Sequence, residues 1–189
     1  MQKRMLQLKT ERLLLKPYEE CDREAMLSLL YNDEIRQTFM LPDFQTEQEA
    51  AAMWLRLKAW SLSDRHFEYG IYRQGRLIGF INDVEMDGDR IELGYVIHPD
   101  SKNRGYATEA LAAAMEELFR MGYAVVQAGL FEGNDASRRV MEKCGMHRIE
   151  RTETIAYRGE NRRCIYYEKR RADAIGACAA QTPVRYSDG

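Results

Sequence analysis

Short hydrophobic patterns of two kinds follow one another along this chain. The apolar run RLLLK at residues 12–16 ends before Pro17 and predicts a first strand. Asp22 precedes apolar residues at the i, i+3, i+4 spacing of an amphipathic helix, so we predict that Asp22 is the N-cap of that helix. The capping box TEQE at 46–49 predicts a second helix that begins at Thr46. The segment around Pro42 is predicted to be a loop.

From residue 67 the hydrophobic period changes to two. Three successive antiparallel strands are predicted at residues 67–72, 77–84 and 91–97. A strong helical pattern at 106–121 ends at Gly122 and is followed by a predicted strand at 124–130, a helix at 134–144 and a hairpin of 146–156 with 162–169. This order predicts a mixed α/β (α+β) fold without an internal repeat.

Composition and length limit the class of protein. The 189 residues, 45% of them hydrophobic and 31% charged, are typical of one globular domain, which we place at residues 1–171, with 172–189 as a flexible extension. With 28 basic and 30 acidic residues the net charge is -2, so we expect no nucleic-acid partner. No apolar run approaches the ~20 residues of a membrane span, and no segment resembles a signal peptide, so we expect a cytoplasmic protein without a membrane partner.

The cysteines and histidines show no metal-ligand pattern. Cys21, Cys144, Cys164 and Cys178 are scattered without a C-x-x-C pair, which predicts free thiols. The three histidines lack the H-x-x-x-H and H-E-x-x-H spacings. We therefore expect no metal site.

Candidate chemistry lies where the strand at 91–97 runs through a tight loop into the next helix. A helix N-terminus presents unpaired N–H groups and the positive end of the helix dipole, which favours anions. Gly105 would let the backbone approach an anion, Arg104 and Lys102 add positive charge, and Thr108 adds a hydroxyl. A phosphate site and an ordinary strand-to-helix turn both remain possible, because a single glycine is weak evidence.

Three motifs resemble one superfamily. The sequences IELGYVIHP at 91–99 and NRGYATEA at 103–110 resemble the acetyl-CoA-binding motif of GNAT-superfamily N-acetyltransferases. The segment NDASRRVMEKCG at 134–145 resembles their downstream Asn-x-x-Ser helix, and TERLLLKP at 10–17 is similar to the branch of the ribosomal-protein-alanine N-acetyltransferases. The resemblance covers about residues 8–170 and implies a mixed, mostly antiparallel seven-stranded sheet flanked by about four helices.

Acetyl-CoA is the co-substrate that this resemblance implies. The family's phosphate-binding loop matches Lys102, Asn103, Arg104, Gly105, Tyr106, Ala107 and Thr108. Lys102 replaces the usual Gln or Arg and Asn103 replaces a frequent Gly, but lysine keeps the charge and asparagine tolerates positive φ. Main-chain groups around Val96 and Ile97 would hold the pantetheine arm and the thioester oxygen, as in an oxyanion hole. The alternative for these two residues is a plain core strand.

Three side chains are candidates for a role near the thioester. Glu92 matches the strand position where some family members hold a general-base glutamate, and a paired structural carboxylate is the alternative. Asn134 is a good N-cap, to which the resemblance adds a hydrogen bond to the pantetheine or to the strand that holds it. Ser137 would place a hydroxyl near the CoA sulfur, with capping or packing as the alternative.

The general acid is the open role. Many members have a tyrosine where this chain has Met141, and Tyr166 or Tyr167 could substitute, with core packing as the alternative. Because a free thiol has a pKa near 8.5, the CoA thiolate is a tolerable leaving group without an acid.

These features together predict an acetyl-CoA-dependent N-acetyltransferase that transfers the acetyl group directly to a primary amine in a ternary complex. The expected acceptor is the N-terminal α-amine of a protein or peptide. A small amine (polyamine, amino acid or antibiotic) and a non-catalytic CoA-binding sensor are the alternatives, and a monomer and a homodimer are both compatible with the sequence. The sequence contains neither G-x-x-x-x-G-K-[ST] nor G-x-G-x-x-G, which argues against a nucleotide-binding domain.

Overall fold

One eight-stranded sheet organises the chain in the computed structural model, which describes residues 3–173. The strands are β1 (Leu8–Lys9), β2 (Leu14–Lys16), β3 (Glu68–Arg73), β4 (Arg76–Asp87), β5 (Arg90–Ile97), β6 (Val125–Phe131), β7 (His147–Tyr157) and β8 (Glu160–Arg170). Their order in the sheet is β1-β2-β3-β4-β5-β6-β8-β7, and among these pairs only β5 and β6 run parallel. Most of the extension predicted at 172–189, with Cys178, lies outside the described residues.

Helices pack against both faces of this sheet. They are α1 (Arg23–Leu30), α2 (Asp33–Thr38), α3 (Glu47–Leu62), α4 (Tyr106–Met121) and α5 (Asp135–Lys143). Helices α4 and α5 form one hydrophobic cluster with the sheet, and α1, α2 and α3 form another with its opposite face. None of the helices described here is long and apolar enough to cross a membrane.

The mixed fold and most predicted elements are confirmed. Helix α4 spans the predicted residues, and it ends at Gly122, whose φ of 109° suits a glycine cap. Thr46 caps α3 through its hydroxyl, which accepts the N–H of Glu49. The three antiparallel strands and the final hairpin lie within a few residues of their predicted positions.

Three local details differ from the predictions. Asp22 is the N-cap residue of α1, as predicted, but its side chain makes no capping hydrogen bond; the buried carboxylate accepts the N–H of Glu19 and the hydroxyl of Tyr72 instead. The segment around Pro42 is a loop, as predicted, but the six-residue helix α2 before it was missed because it is too short for a periodic pattern to show. The two-residue strand β1 adds an eighth strand to the seven expected.

A close contact between β4 and β5 fixes the end of β5. The register between β3 and β4 shifts near Gly79, which lies against the main chain of Val96. A Cβ built on Gly79 would lie 2.1 Å from the carbonyl oxygen of Val96. Only glycine therefore allows β5 to approach β4 this closely.

We predict that Gly79→Ala destabilises the protein by roughly 3 kcal/mol, because the added methyl group forces two backbone segments apart. Gly88→Ala is the control: Gly88 lies at a turn with φ of 61° and open space around it, so this change costs only about 1 kcal/mol of backbone strain. Thermal or denaturant unfolding measures both variants. Equal losses would show that β5 moves away from β4 without cost.

Candidate active site

The parallel strands β5 and β6 separate partway along their length. Their pairing ends at Leu93 and Ala128, although the strands continue to Ile97 and Phe131. The split opens a cleft of about 380 Å³, a volume within the range of small-molecule sites. Main-chain groups of both strands border this cleft.

Alternate residues of β5 direct their main-chain groups into the cleft. The N–H of His98 donates to the carbonyl of Ile78 in β4 at 2.7 Å, and N–H directions alternate along a strand. Val96 therefore directs its N–H towards β4, whereas Tyr95 and Ile97 direct theirs towards the gap left by β6. Both positions predicted from the sequence line the cleft, and of the two only Ile97 directs its main-chain N–H towards it.

The predicted phosphate loop lies at one end of the cleft. Gly105 is the N-cap of α4 with φ of 80°, and Asn103 has φ of 61°, so both residues occupy the left-handed region. The predicted residues that line the cleft are Lys102, Asn103, Gly105, Tyr106, Ala107 and Thr108. Arg104 instead lines a neighbouring pocket on the other side of the loop.

Positive charge near the loop is distributed differently from the prediction. The Nζ of Lys102 forms an ion pair with Glu34 of α2 at 2.5 Å, so this lysine ties the loop to a helix on the opposite face. Helix α5 contributes Arg139 and Lys143 to the cleft lining, which sequence reasoning missed. Their i, i+4 spacing on one helix face was the available signal.

Asn134 and Ser137 tie α5 to the cleft wall. The side-chain oxygen of Asn134 accepts the N–H of Ser137 at 3.2 Å, and its amide group donates to the Ser137 hydroxyl at 3.2 Å, so the predicted N-cap is confirmed. The Tyr95 hydroxyl donates to the Ser137 carbonyl at 3.2 Å. Burial raises the pKa of Tyr95, which keeps this hydroxyl protonated.

Glu92 lies on the face of the sheet opposite to α4 and α5, and only 8% of the residue is exposed. One carboxylate oxygen is 3.4 Å from the point that a Cβ on Gly129 would occupy, and Gly129 lines the cleft. The other oxygen accepts a hydrogen bond from Arg151 at 3.0 Å. Burial raises the pKa of Glu92, and the Arg151 guanidinium opposes part of that rise. The carboxylate is thus both ion-paired and adjacent to the cleft.

Arg151 of β7 contacts several side chains on the same face of the sheet as Glu92. Its guanidinium also binds Glu153 at 2.8 Å and lies 4.0 Å from the centre of the Tyr166 ring. The Tyr166 ring packs against Gly129, whereas Tyr167 belongs to the core on the α4 side. Of the two tyrosines considered as general acids, only Tyr166 shares a face with Glu92.

Cys144, at the end of α5, is not poised as a nucleophile. Cys21, Cys144 and Cys164 are free thiols, as predicted. Burial raises the pKa of Cys144 to about 11, and its thiol donates to the carbonyl of Thr108 at 3.4 Å. Such a thiol stays protonated near neutral pH. Within residues 3–173, no cluster of three or more His, Cys, Asp or Glu side chains could hold a metal ion.

The end of α2 lines the cleft and also contacts the β7–β8 hairpin. Thr38 and Phe39 line the cleft at the end of α2. The Tyr157 hydroxyl, near the tip of the hairpin, donates to the Phe39 carbonyl at 3.2 Å and accepts the Leu41 N–H at 3.3 Å. These contacts join two segments that are more than 100 residues apart in the sequence.

Known proteins share this fold and sequence pattern. A family model described as "Acetyltransferase (GNAT) domain" matches residues 12–147. The uncharacterised N-acetyltransferase YoaA of Bacillus subtilis is 29% identical over 146 residues, which cover 75% of this chain and 82% of YoaA.

Solved structures match the fold. An acetyltransferase (GNAT family) from Bacillus anthracis superimposes with a TM-score of 0.73 at 26% identity, covering 87% of this chain and 98% of the other. The ribosomal L7/L12 α-N-protein acetyltransferase RimL in complex with coenzyme A has a TM-score of 0.76 at 17% identity, covering 87% and 97%. Since the family model spans well over half of the sequence, this chain belongs to the GNAT family of acetyltransferases.

Proposed function

We propose that this acetyltransferase moves the acetyl group of acetyl-CoA directly to the N-terminal α-amine of a protein or peptide. The observation that carries the proposal is the parting of β5 from β6. It opens a cleft with a helix N-terminus at one end and a buried carboxylate, Glu92, beside its floor on the opposite face of the sheet. Donor and acceptor could then meet through the gap from opposite faces.

The cleft offers a complementary partner for each part of acetyl-CoA. The N-terminus of α4 and the loop at 102–108 would bind the pyrophosphate through main-chain N–H groups. Tyr95 and Ile97 would pair with the pantetheine amides in place of a neighbouring strand. Arg139 and Lys143 on α5 would supply positive charge to the remaining phosphate.

Transfer needs few groups from the protein. The neutral amine attacks the thioester carbonyl carbon, a C–N bond forms, the C–S bond breaks, and the CoA thiolate leaves. A main-chain N–H from Tyr95 or Ile97 would stabilise the oxyanion, a contribution worth about 2.7 to 4 kcal/mol in other enzymes. Glu92, directly or through a water molecule, would accept the amine proton. The Ser137 hydroxyl would stabilise the departing sulfur.

The environment of Glu92 favours an acceptor amine of low pKa. Burial raises the pKa of Glu92 and the ion pair with Arg151 offsets part of that rise, so Glu92 remains a carboxylate base, weaker than a lysine amine. An α-amine of pKa about 7.7 to 8.0 is neutral in roughly one molecule in ten at pH 7, whereas a lysine amine of pKa about 10.4 is neutral in fewer than one in a thousand. A weak base suffices for the first and not for the second. RimL, whose fold this chain shares, is named for an α-N-protein substrate.

We also propose a cellular setting for the reaction. The three free thiols, Cys21, Cys144 and Cys164, support a reducing compartment such as the cytoplasm. A small amine is the second candidate acceptor, because the cleft of about 380 Å³ would also admit one.

We predict that acetyl-CoA and CoA raise the thermal transition of the purified protein, and that ATP and NADH do not. A ligand at about 100 times its Kd stabilises a fold by roughly 2.7 kcal/mol, which corresponds to a rise of about 5 to 11 °C in the transition of this protein.

A second experiment identifies the acceptor by measuring thiol release from acetyl-CoA. The three acceptors compared are a peptide that has a free N-terminus, the same peptide N-acetylated but with one lysine, and spermidine. Release with the first peptide alone is expected. Release with spermidine alone would refute the peptide assignment.

We predict that Gly105→Glu weakens acetyl-CoA binding about 100-fold or more, because it places a carboxylate in the phosphate loop. Gly145→Glu is a matched control. Both glycines have positive φ, 80° and 75°, and a Cβ on either would lie 3.3 Å from the end of a flexible basic side chain. Calorimetry should therefore show weak binding for the first variant only. Equal affinities would contradict the placement of the phosphates at this loop.

We predict that Glu92→Gln lowers kcat/KM about 100-fold at pH 7 and leaves the Kd of acetyl-CoA unchanged. Because the pKa of Glu92 is raised, wild-type kcat/KM should fall as the pH drops towards that pKa and the base becomes protonated. The variant should lack this dependence. Glu153→Gln, which removes a more exposed carboxylate from the same arginine, should retain activity. A wild-type pH profile in the Glu92 variant would make Glu92 purely structural.

A further inference from the structure

The segment before β2 contacts the start of α4 through hydrogen bonds. The main-chain N–H of Arg12 donates to one carboxylate oxygen of Glu109 at 2.8 Å, and its Nε donates to the other oxygen at 2.7 Å. The Thr10 hydroxyl donates to Glu109 at 2.6 Å. The Nη1 of Arg12 donates to the carbonyl of Arg104 at 2.9 Å. The TERLLLKP motif, which suggested only a family branch, thus contacts the phosphate loop directly.

Glu109 is an unfavourable residue beside an anion site. It lies in the first turn of α4, where a carboxylate stabilises the empty helix but repels a bound phosphate. Burial raises its pKa, but the hydrogen bonds from Thr10 and Arg12 outweigh burial and lower it, so Glu109 is ionised at neutral pH. The guanidinium of Arg12, 2.6 Å from Glu109, supplies the compensating charge.

Arg12 also fixes the peptide group that precedes Gly105. In a trans peptide the carbonyl and the following N–H point in opposite directions. Because Arg12 holds the Arg104 carbonyl on its own side, the N–H of Gly105 points away from Arg12. Gly105 lines the cleft, so this orientation suits a main-chain donor for a phosphate oxygen. The ring of Tyr106 lies under the guanidinium, 4.9 Å from it, and limits its movement.

We propose that Arg12 is a positioning residue for the phosphates of the cofactor: it orients the N–H of Gly105 and neutralises Glu109, without touching the ligand. The proposal rests on the proposed acetyl-CoA site. It assigns a role in cofactor binding to a segment more than 90 residues away from the phosphate loop in the sequence.

The test compares acetyl-CoA with acetyl-pantetheine, which carries the same thioester but no phosphates. In Arg12→Met, the Kd of acetyl-CoA measured by calorimetry should rise about 10- to 100-fold, as for the loss of a charge-assisted contact. The Kd of acetyl-pantetheine, measured by competition, should stay within about twofold. Arg90→Met, which removes another arginine paired to a nearby carboxylate, is the control and should change neither value.

A second variant separates the two parts of the role. Adding Glu109→Gln to Arg12→Met removes the uncompensated carboxylate and should restore part of the acetyl-CoA affinity. Arg12→Lys, which keeps the charge but loses the fork that spans Glu109 and Arg104, should bind with intermediate affinity. If Arg12→Met does not fold, Arg12→Lys with and without Glu109→Gln provides the same comparison.

The outcomes distinguish this proposal from the proposed function. An equal loss of affinity for both ligands would overturn the positioning role and leave Arg12 as a general structural contact. An unchanged Kd for acetyl-CoA in Arg12→Met would overturn it as well. Failure of the wild-type protein to bind acetyl-CoA would instead refute the proposed function, and the proposal about Arg12 with it.

Discussion

The separation of β5 from β6 is the constraint on which the rest of the site depends. Each strand is held by its other neighbour: β5 lies tightly against β4 at Gly79, and β6 pairs along its whole length with β8. The strands therefore cannot close over the gap. Main-chain groups beyond Leu93 need hydrogen-bond partners, and an extended ligand with amide groups can supply them. The sheet itself thus defines the shape and direction of the cleft.

Two glutamates beside this cleft each form an ion pair with an arginine from a distant segment. Arg151 of β7 binds Glu92 on one face of the sheet, and Arg12, ahead of β2, binds Glu109 near the phosphate loop. Both carboxylates are mostly shielded from water, so their charges would be costly without these partners. The first ion pair ties the edge strand β7 to the central strand β5, and the second ties the segment before β2 to helix α4. The same interactions therefore neutralise the two carboxylates and hold distant segments in place.

Local signals were reliable where the sequence pattern was long or the chemistry was local. Helix α4 has sixteen residues with a consistent apolar face and a glycine stop, and Asn134 caps α5 through a contact three residues away. Helix α2 has only six residues, too few for a period to emerge. Asp22 met the sequence criteria for an N-cap, but a buried tyrosine from β3 competed successfully for its carboxylate.

The sequence by itself determined the order of most elements, the strand-to-helix loop at 102–108 and the family, because those depend on contiguous residues and short motifs. The tertiary structure alone decided which main-chain groups of β5 face the cleft, since the direction of the N–H of Ile97 follows from pairing with β4. It also decided that Arg151 meets Glu92 and that Arg12 meets Glu109, 59 and 97 residues apart. Spacing along the chain cannot specify such pairs, because sheet order and strand register bring them together only after folding.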